Sequence, residues 1–503
     1  MHKWLFFTST ICCGIFFSVL FAEDTAMVID SGVANYDGKL ITLTGDVVVE
    51  HELGTISAGC VELTTDSSDK NIHTSCLSMK EGVNIKLKDG GNLSCALADV
   101  DYRSFEGKFH GNELQEYVTY TENDRNKGNE LSLTVKSRHM HVQLGKSETA
   151  PQSRRCISTI AANDNVIIGY QNDFTASGDY ATYQRLPSEE STGSARTLTG
   201  LIALHSADKD GICQVVNNRG DTIKANHICI DTLKRQLLFA YPQGKLSVAR
   251  NQGAEFTQID FSSDTMIWDE KQNALTLRDH VVINQQGIGT LTNDKEIQLF
   301  QQETNGSKQL STIESLGTTI LTYTDDDNSQ THTLTCYGKA CVNHQSCQTV
   351  MESPRDSQGK VIEGKQVYFK DNLGEIYSDK LTVQYTMLDG VPLPTKLILE
   401  GHVRLFGRSS ALTEDTSTFL QYALADVVEY NPQAKELVLV SKGKNRVLFY
   451  DRTNNLQVSA PKIKVRRDQT TNKESIQGMG DVRFSFIEKE LEAMKKAFSD
   501  GIK

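Results

Sequence analysis

Proline is scarce in this chain, 8 residues in 503, and tryptophan scarcer still, with 2. So little proline argues against a large disordered or proline-rich fraction. An excess of positive charge is also missing: the formal net charge is −12. Nucleic-acid binding needs a clustered positive surface, and attachment to anionic lipid through charge needs the same, so both are excluded as expectations. After the first two dozen residues no apolar run is long enough for a transmembrane helix. There is no G-x-S-x-G elbow, phosphate-binding Walker loop, H-E-x-x-H helix or EF-hand loop. Carboxylates are scattered, so no acid/base pair can be nominated. The expectation is a non-enzyme with no catalytic residue, no cofactor and no bound metal.

What is present is ordinary for a folded soluble protein: 38% hydrophobic and 23% charged residues. Lys3 is followed by an almost wholly apolar stretch from Trp4 to Phe21. Ala22 then offers a small residue before Glu23 and Asp24. Residues 1–22 therefore read as a secretory signal. An uncleaved anchor is the rival, because the run is about long enough to cross a bilayer and Leu20 suits a signal peptidase poorly. A lipidated Cys12 or Cys13 fits less well, since Ile11 and Cys12 are not the small residues that should precede it.

The strongest signal is a repeated pair of patterns. In the first, apolar residues alternate around a glycine. Ile41, Leu43, Gly45, Val47 and Val49 share one parity, with Thr42, Thr44 and Asp46 opposite. Leu397, Leu399, Gly401, Val403 and Leu405 repeat it, and so do Ile476, Gly478, Gly480, Val482, Phe484 and Phe486. A weaker copy, Leu275 to Ile283, has Asp279 in place of glycine. Each copy predicts a strand with one apolar and one polar face, the glycine on the apolar one. A glycine there permits a bend or the close approach of a ligand, and the two readings are compatible.

The second pattern is apolar, x, small, x, x, apolar, x, apolar. It occurs as Ile56/Ala58/Val61/Leu63, Leu93/Cys95/Ala98/Val100, Ile223/Ala225/Ile228/Ile230, Ile376/Ser378/Leu381/Val383 and Val458/Ala460/Ile463/Val465. The parity of the apolar positions switches inside it. One continuous strand cannot do that with one face buried, so a bulge or corner is predicted at the small residue. The copies lie near multiples of about 40 residues apart, a period that suggests stacked repeats. The fold class expected is all-β, an extended jellyroll or solenoid of repeated strand pairs. Repeats fill 23–352, degenerate in the middle, and 360–486, with the polar segment 353–359 as boundary. Ile487, Leu491, Met494 and Phe498 have helical spacing, so 487–503 is predicted to end the chain as an amphipathic helix.

Two units carry a resemblance. Ala34-Asn35-Tyr36-Asp37-Gly38-Lys39-Leu40 through Val49, with Gly54 to Ala58, and Val458-Ser459-Ala460-Pro461 through Gly478 to Phe484 are similar to the OstA/LptA family of lipopolysaccharide-transport proteins. The middle matches only in fragments. The resemblance implies a β-jellyroll open along one side, whose apolar interior holds lipopolysaccharide acyl chains. It also implies a periplasmic location in a Gram-negative envelope and a role in outer-membrane assembly. The partners it implies are lipopolysaccharide or a related lipid, other jellyroll proteins of the transport bridge, and further copies of itself stacked head to tail. The lipid-facing candidates are Ile41, Leu43, Val47, Val49, Ile56, Leu397, Leu399, Val403, Leu405, Val482, Phe484 and Phe486, with Gly45, Gly401 and Gly480 as structural glycines. The chain departs from the family in being longer than its soluble bridge protein and in lacking the strand barrel of its outer-membrane member.

Of the 11 cysteines, nine follow the leader, an odd number that leaves at least one unpaired or paired to a partner. Cys336, Cys341, His344 and Cys347 are close in sequence. Their spacing matches no zinc motif, and a local disulfide between Cys341 and Cys347 is the plainer reading for an exported protein, with free thiols as the alternative. Besides the lipid carrier, a structural or adhesive solenoid without a ligand and an exported carbohydrate-active solenoid enzyme are the competing functions.

Overall fold

The computed structural model describes residues 28–51, 54–66, 73–88, 90–124, 131–146, 155–170, 173–185, 200–207, 211–218, 220–249, 256–285, 289–304, 307–325, 330–372, 374–388, 391–408, 419–452, 455–467 and 474–485. The signal segment expected at 1–22, the helix expected at 487–503 and Phe486 lie outside them. The described residues are strands and turns, so the chain is all-β. It falls into two compact units, Met1–Asn218 with Asn226–Arg235 and Arg219–Ala225 with Gln236–Lys503. The polar segment 353–359 is a turn-rich excursion within the second unit, closed by an Arg355–Val361 bridge.

The first unit contains β1 (Val28–Asp30), β2 (Val33–Tyr36), β3 (Leu40–His51), β4 (Gly54–Asp66), β5 (His73–Leu87), β6 (Gly91–Asp101), β7 (Glu106–His110), β8 (Val118–Asp124), β9 (Leu131–Ser137), β10 (His139–Lys146), β11 (Arg155–Tyr170), β12 (Phe174–Arg185), β13 (Gly200–His205) and β14 (Cys213–Asn217), together with the strand His227–Asp231 that pairs with β13. All pairings are antiparallel. The long strands each serve two ladders. The start of β3 pairs with β2 and the end of β4, whereas its end pairs with β1 and the start of β4. Likewise β6 gives one half to β8 and the other to β7, and β12 gives one half to β14 and the other to β13.

Following these registers through the unit separates two kinds of connection. Hairpins join neighbours within a ladder at one margin, as β5 to β6 and β6 to β7. At the opposite margin the chain crosses from one ladder to the other. The ladders are thus joined by the backbone along a single line of corners.

The corners have a recurrent construction. At Gly45-Asp46, Glu81-Gly82, Asp164-Asn165, Asp279-His280 and Gly401-His402 two successive residues take positive φ, between 44° and 83°. Where these lie inside a strand the register slips by one residue, as at Thr44/Val47, Lys80/Val83, Asn163/Val166 and Glu400/Val403. Each is a bulge whose two left-handed residues turn the strand through the corner. The first residue's carbonyl accepts the N–H of the adjacent corner at the same 3.0 Å in four copies: Gly32 to Gly45, Arg138 to Asp164, Asp264 to Asp279 and Asp379 to Gly401. Opposite two bulges an aspartate caps the next corner. Asp179 accepts from Ser206 Oγ and Ala207 N, and Asp426 from Ser441 Oγ and Lys442 N. Those backbone N–H bonds, with the serine hydroxyls second, hold both carboxyls below their ordinary range.

This corrects the sequence expectation for the glycines. The alternation puts Gly45, Gly401 and Gly480 on the apolar face, but Gly45 and Gly480 are exposed and Gly401 is half-buried. They have φ of 83°, 75° and 88°. Leu43 and Val47 both face the core four residues apart, and the left-handed pair between them makes the turn. The second pattern behaves as predicted. Ile56, Ala58, Val61 and Leu63 are buried in that order around the slip, and Val458, Ala460 and Ile463 flank the break at Pro461.

One face of both ladders is buried. In the second unit a single core cluster takes Ala340, Leu381, Leu399, Val428, Leu439 and Ile463 from one ladder and Val367, Val403, Ala423, Val447, Phe449 and Val458 from the other. The two ladders therefore pack their apolar faces against each other.

Candidate functional site

In the first unit the packing of the two apolar faces is incomplete. A cavity lies between the ladders at the hairpin margin, away from the corners, with an empty volume of about 570 Å³ counting the part open to solvent. One ladder contributes His51, Gly54, Ile56, Ile85, Leu87 and Leu93; the other contributes Val100, Tyr102, Gly107, Phe109, Val142, Leu144 and Ile157. The wall is almost entirely apolar. Its deep residues, such as Leu93, Phe109 and Ile157, are buried, whereas His51, Leu87, Tyr102 and Leu144 at the margin are half-buried.

Alternation puts these residues here. Ile85 and Leu87 continue the inner parity of Val83 on β5, and Val142 and Leu144 that of Met140 on β10. Glycine opens the space in between. A methyl group on Gly107 would lie 2.6 Å from the Phe109 ring, which folds over it. At the mouth the His51 and Tyr102 rings meet edge to face, 5.9 Å between centroids. Burial pushes the Tyr102 hydroxyl well above its ordinary value, so it stays protonated.

Beside the cavity a polar cluster spans the two ladders. Glu122 on β8 accepts from Tyr120 Oη at 2.8 Å, from Tyr183 Oη at 3.3 Å and from Arg185 Nη2 at 3.1 Å. Tyr183 and Arg185 belong to β12 in the opposite ladder. The side chains of Arg185 and Glu122 are only 22% and 12% exposed. Each tyrosine leans over a glycine: the Tyr120 ring would meet a methyl on Gly91 at 3.0 Å, and Tyr183 Cζ one on Gly200 at 2.9 Å. Burial raises both phenols above their ordinary value, so each remains a donor.

Of the candidates read from sequence, Ile56 alone lines the cavity. Leu43, Val47 and Val49 are buried and Ile41 half-buried in β3 of the same unit. Leu399 and Val403 belong to the second unit's core, Leu405 and Val482 pack against it, and Leu397 is half-buried. Phe484 is 57% exposed although it lies opposite buried Val458, on a three-residue strand that, among the described residues, pairs through Gln457–Ser459 and has no further strand beyond it. The local disulfide is not formed: Cys341 and Cys347 are free thiols. The hairpin register sets Cys341 opposite Val350 and Asn343 opposite Gln348, which leaves Cys347 in the turn. Cys336 faces the core while Cys341 is half-buried. Among the described residues no group of three His, Cys, Asp or Glu is placed to hold a metal ion.

Sequence reasoning missed Ile85, Leu87, Tyr102, Val142 and Leu144 of the cavity and Tyr120, Glu122, Tyr183 and Arg185 of the polar cluster. The signal for the latter was available. Val118-x-Tyr120-x-Glu122 and Ala181-x-Tyr183-x-Arg185 each carry an apolar parity onto a charge. No protein-family model matches this chain, and no curated protein matches its sequence.

Proposed function

We propose that the chain is a non-enzymatic lipid-binding and bridging protein of a Gram-negative envelope, similar to the OstA/LptA proteins. In this reading an open-sided β-jellyroll holds acyl chains of lipopolysaccharide or a related lipid between its ladders. The protein works in the periplasm, with its own copies or other jellyroll proteins as partners. The observation that carries the reading is the apolar cavity between the ladders, opening where hairpins, not backbone crossings, bound the sheet.

An acyl chain gains about 0.8 kcal/mol for each methylene removed from water. A cavity with apolar walls on both sides and a margin free of covalent crossings admits such a chain sideways while its polar end stays in solvent. Nothing in the wall is a strong nucleophile or a paired acid and base, and binding alone is what these side chains do well.

Mass spectrometry of organic extracts from the purified protein tests this directly. Acyl-bearing lipid should copurify. A benzophenone amino acid at Leu87, on the inner face, should crosslink lipopolysaccharide, and one at exposed Lys86 should not. Equal crosslinking from both positions, with no lipid in the extract, would leave a scaffold with a sealed core as the better description.

A further inference from the structure

Resting on the lipid-binding reading, we propose that Glu122, Arg185, Tyr120 and Tyr183 form a clasp across the seam between the ladders. It ends the acyl compartment of the first unit, and a bound chain passes it only when it opens.

The registers place Gly91 opposite Glu122, one strand over from the β5 strand that brings Leu87 to the cavity wall. On the other ladder Arg185 lies on β12, the strand beside the β11 strand that carries Ile157. The clasp thus stands at the end of the cavity on both ladders at once. No residue of β8, β9 or β12 is among those that line the cavity. Leu133, which pairs with Glu122, is 0% exposed, and Val135, Ile168 and Tyr170 are at most 2% exposed. The cavity lining ends on β6 in one ladder and on β11 in the other, the strands that pair with β8 and β12.

An ion pair inside an apolar interior gives up hydration that a pair of apolar residues would not, so it is a poor choice for stability alone. It differs from apolar packing in being directional and reversible. When it separates, both charges can turn to solvent at the margin, where Arg185 and Glu122 retain some exposure. Both tyrosines aim at the same carboxylate, and the glycines beneath them give room for that alignment. The arrangement therefore has a closed state in which both tyrosines and Arg185 donate to Glu122, and an accessible open state.

The test uses the full chain and a diazirine-bearing hexadecanoic acid, with labelled peptides mapped by mass spectrometry. In the native protein the label should concentrate on cavity strands such as 83–93. Peptides carrying Val135 and Ile168 should take at least about tenfold less, the factor expected from one charged hydrogen bond. Arg185→Glu sets two carboxylates against each other and should bring the two labelling levels together. The reversed pair, Glu122→Arg with Arg185→Glu, should restore the difference. If the single reversal does not fold, Tyr183→Phe removes one bond to Glu122 and should shift the ratio the same way by less. Equal labelling on both sides in the native protein, or a ratio that these variants leave unchanged, overturns the clasp while leaving lipid binding intact. A native protein that takes no label in the cavity overturns the lipid reading and the clasp with it.

Discussion

Replacing Leu87 by aspartate separates the inner face of β5 from its outer face in one experiment. Leu87 lines the cavity at its half-buried margin, and its neighbour Lys86 is exposed on the other face. At that margin the new carboxylate can reach solvent, so folding should survive, which circular dichroism would verify. Burying a whole leucine side chain is worth about 1.5–3 kcal/mol, and a half-buried one contributes roughly half of that. Leu87→Asp should therefore weaken binding of an acyl probe by about tenfold. Lys86→Asp makes the larger change in charge but touches no cavity wall, and should stay within about twofold of the native protein. Titration calorimetry with hexadecanoate, tetradecanoate and dodecanoate adds an internal scale. Each loss of two methylenes should cost about fifteenfold in affinity, with a negative heat-capacity change on binding. Equal losses from the two variants, or affinities that ignore chain length, would refute the argument that the inner apolar face carries the ligand.

The corner glycines give a second comparison. Gly45→Ala meets only the left-handed backbone, its nearest neighbour being Gly32 Cα at 3.5 Å, and should cost about 1–2 kcal/mol in denaturant unfolding. Gly401→Ala adds a contact at 2.9 Å with Cβ and Cγ of buried Asp379 and should cost about 3 kcal/mol or more; equal costs would count against the corner geometry. A third prediction concerns pH. The hydrogen bond from His280 to Asp264, 2.8 Å long, raises the imidazole above its ordinary value, so its stabilisation is present at pH below that value and fades as pH rises through the raised one. His280→Ala should thus be less stable than native in acid and indistinguishable from it in base; the opposite trend would show that the pair does not form. Finally, burial pushes the thiols of Cys95 and Cys213 up to about 12 and about 11, and both are enclosed. Iodoacetamide at about pH 8 should leave them unmodified in the folded protein and react only after denaturation.

Period-two alternation is a local property, so the buried positions of β3 and the parity switch at Ala58 could be read without knowing any partner strand. The same reasoning failed for Gly45 and its counterparts. Counting parity assumes an unbroken strand, and two left-handed residues in a row preserve the count while removing both from the core. The copy with Asp279 shows why glycine was an incomplete guide: Asp279 and His280 take the same conformation without one. The disulfide expectation failed for a related reason. Short separation along the chain does not place two thiols opposite each other, and the hairpin register gave Cys341 to Val350 instead.

The clasp and the cavity mark the division most clearly. Alternation by itself determined that this is a chain of strands with one apolar face, interrupted by regular corners, because those features depend only on neighbours along the backbone. It could not say that Glu122 and Arg185, 63 residues apart, would meet, or that Ile56 would line a cavity while Leu43 was packed shut. Those outcomes depend on which strands lie across from one another and how closely the two ladders approach, and distances between ladders are set by the whole set of side chains that fill the space between them.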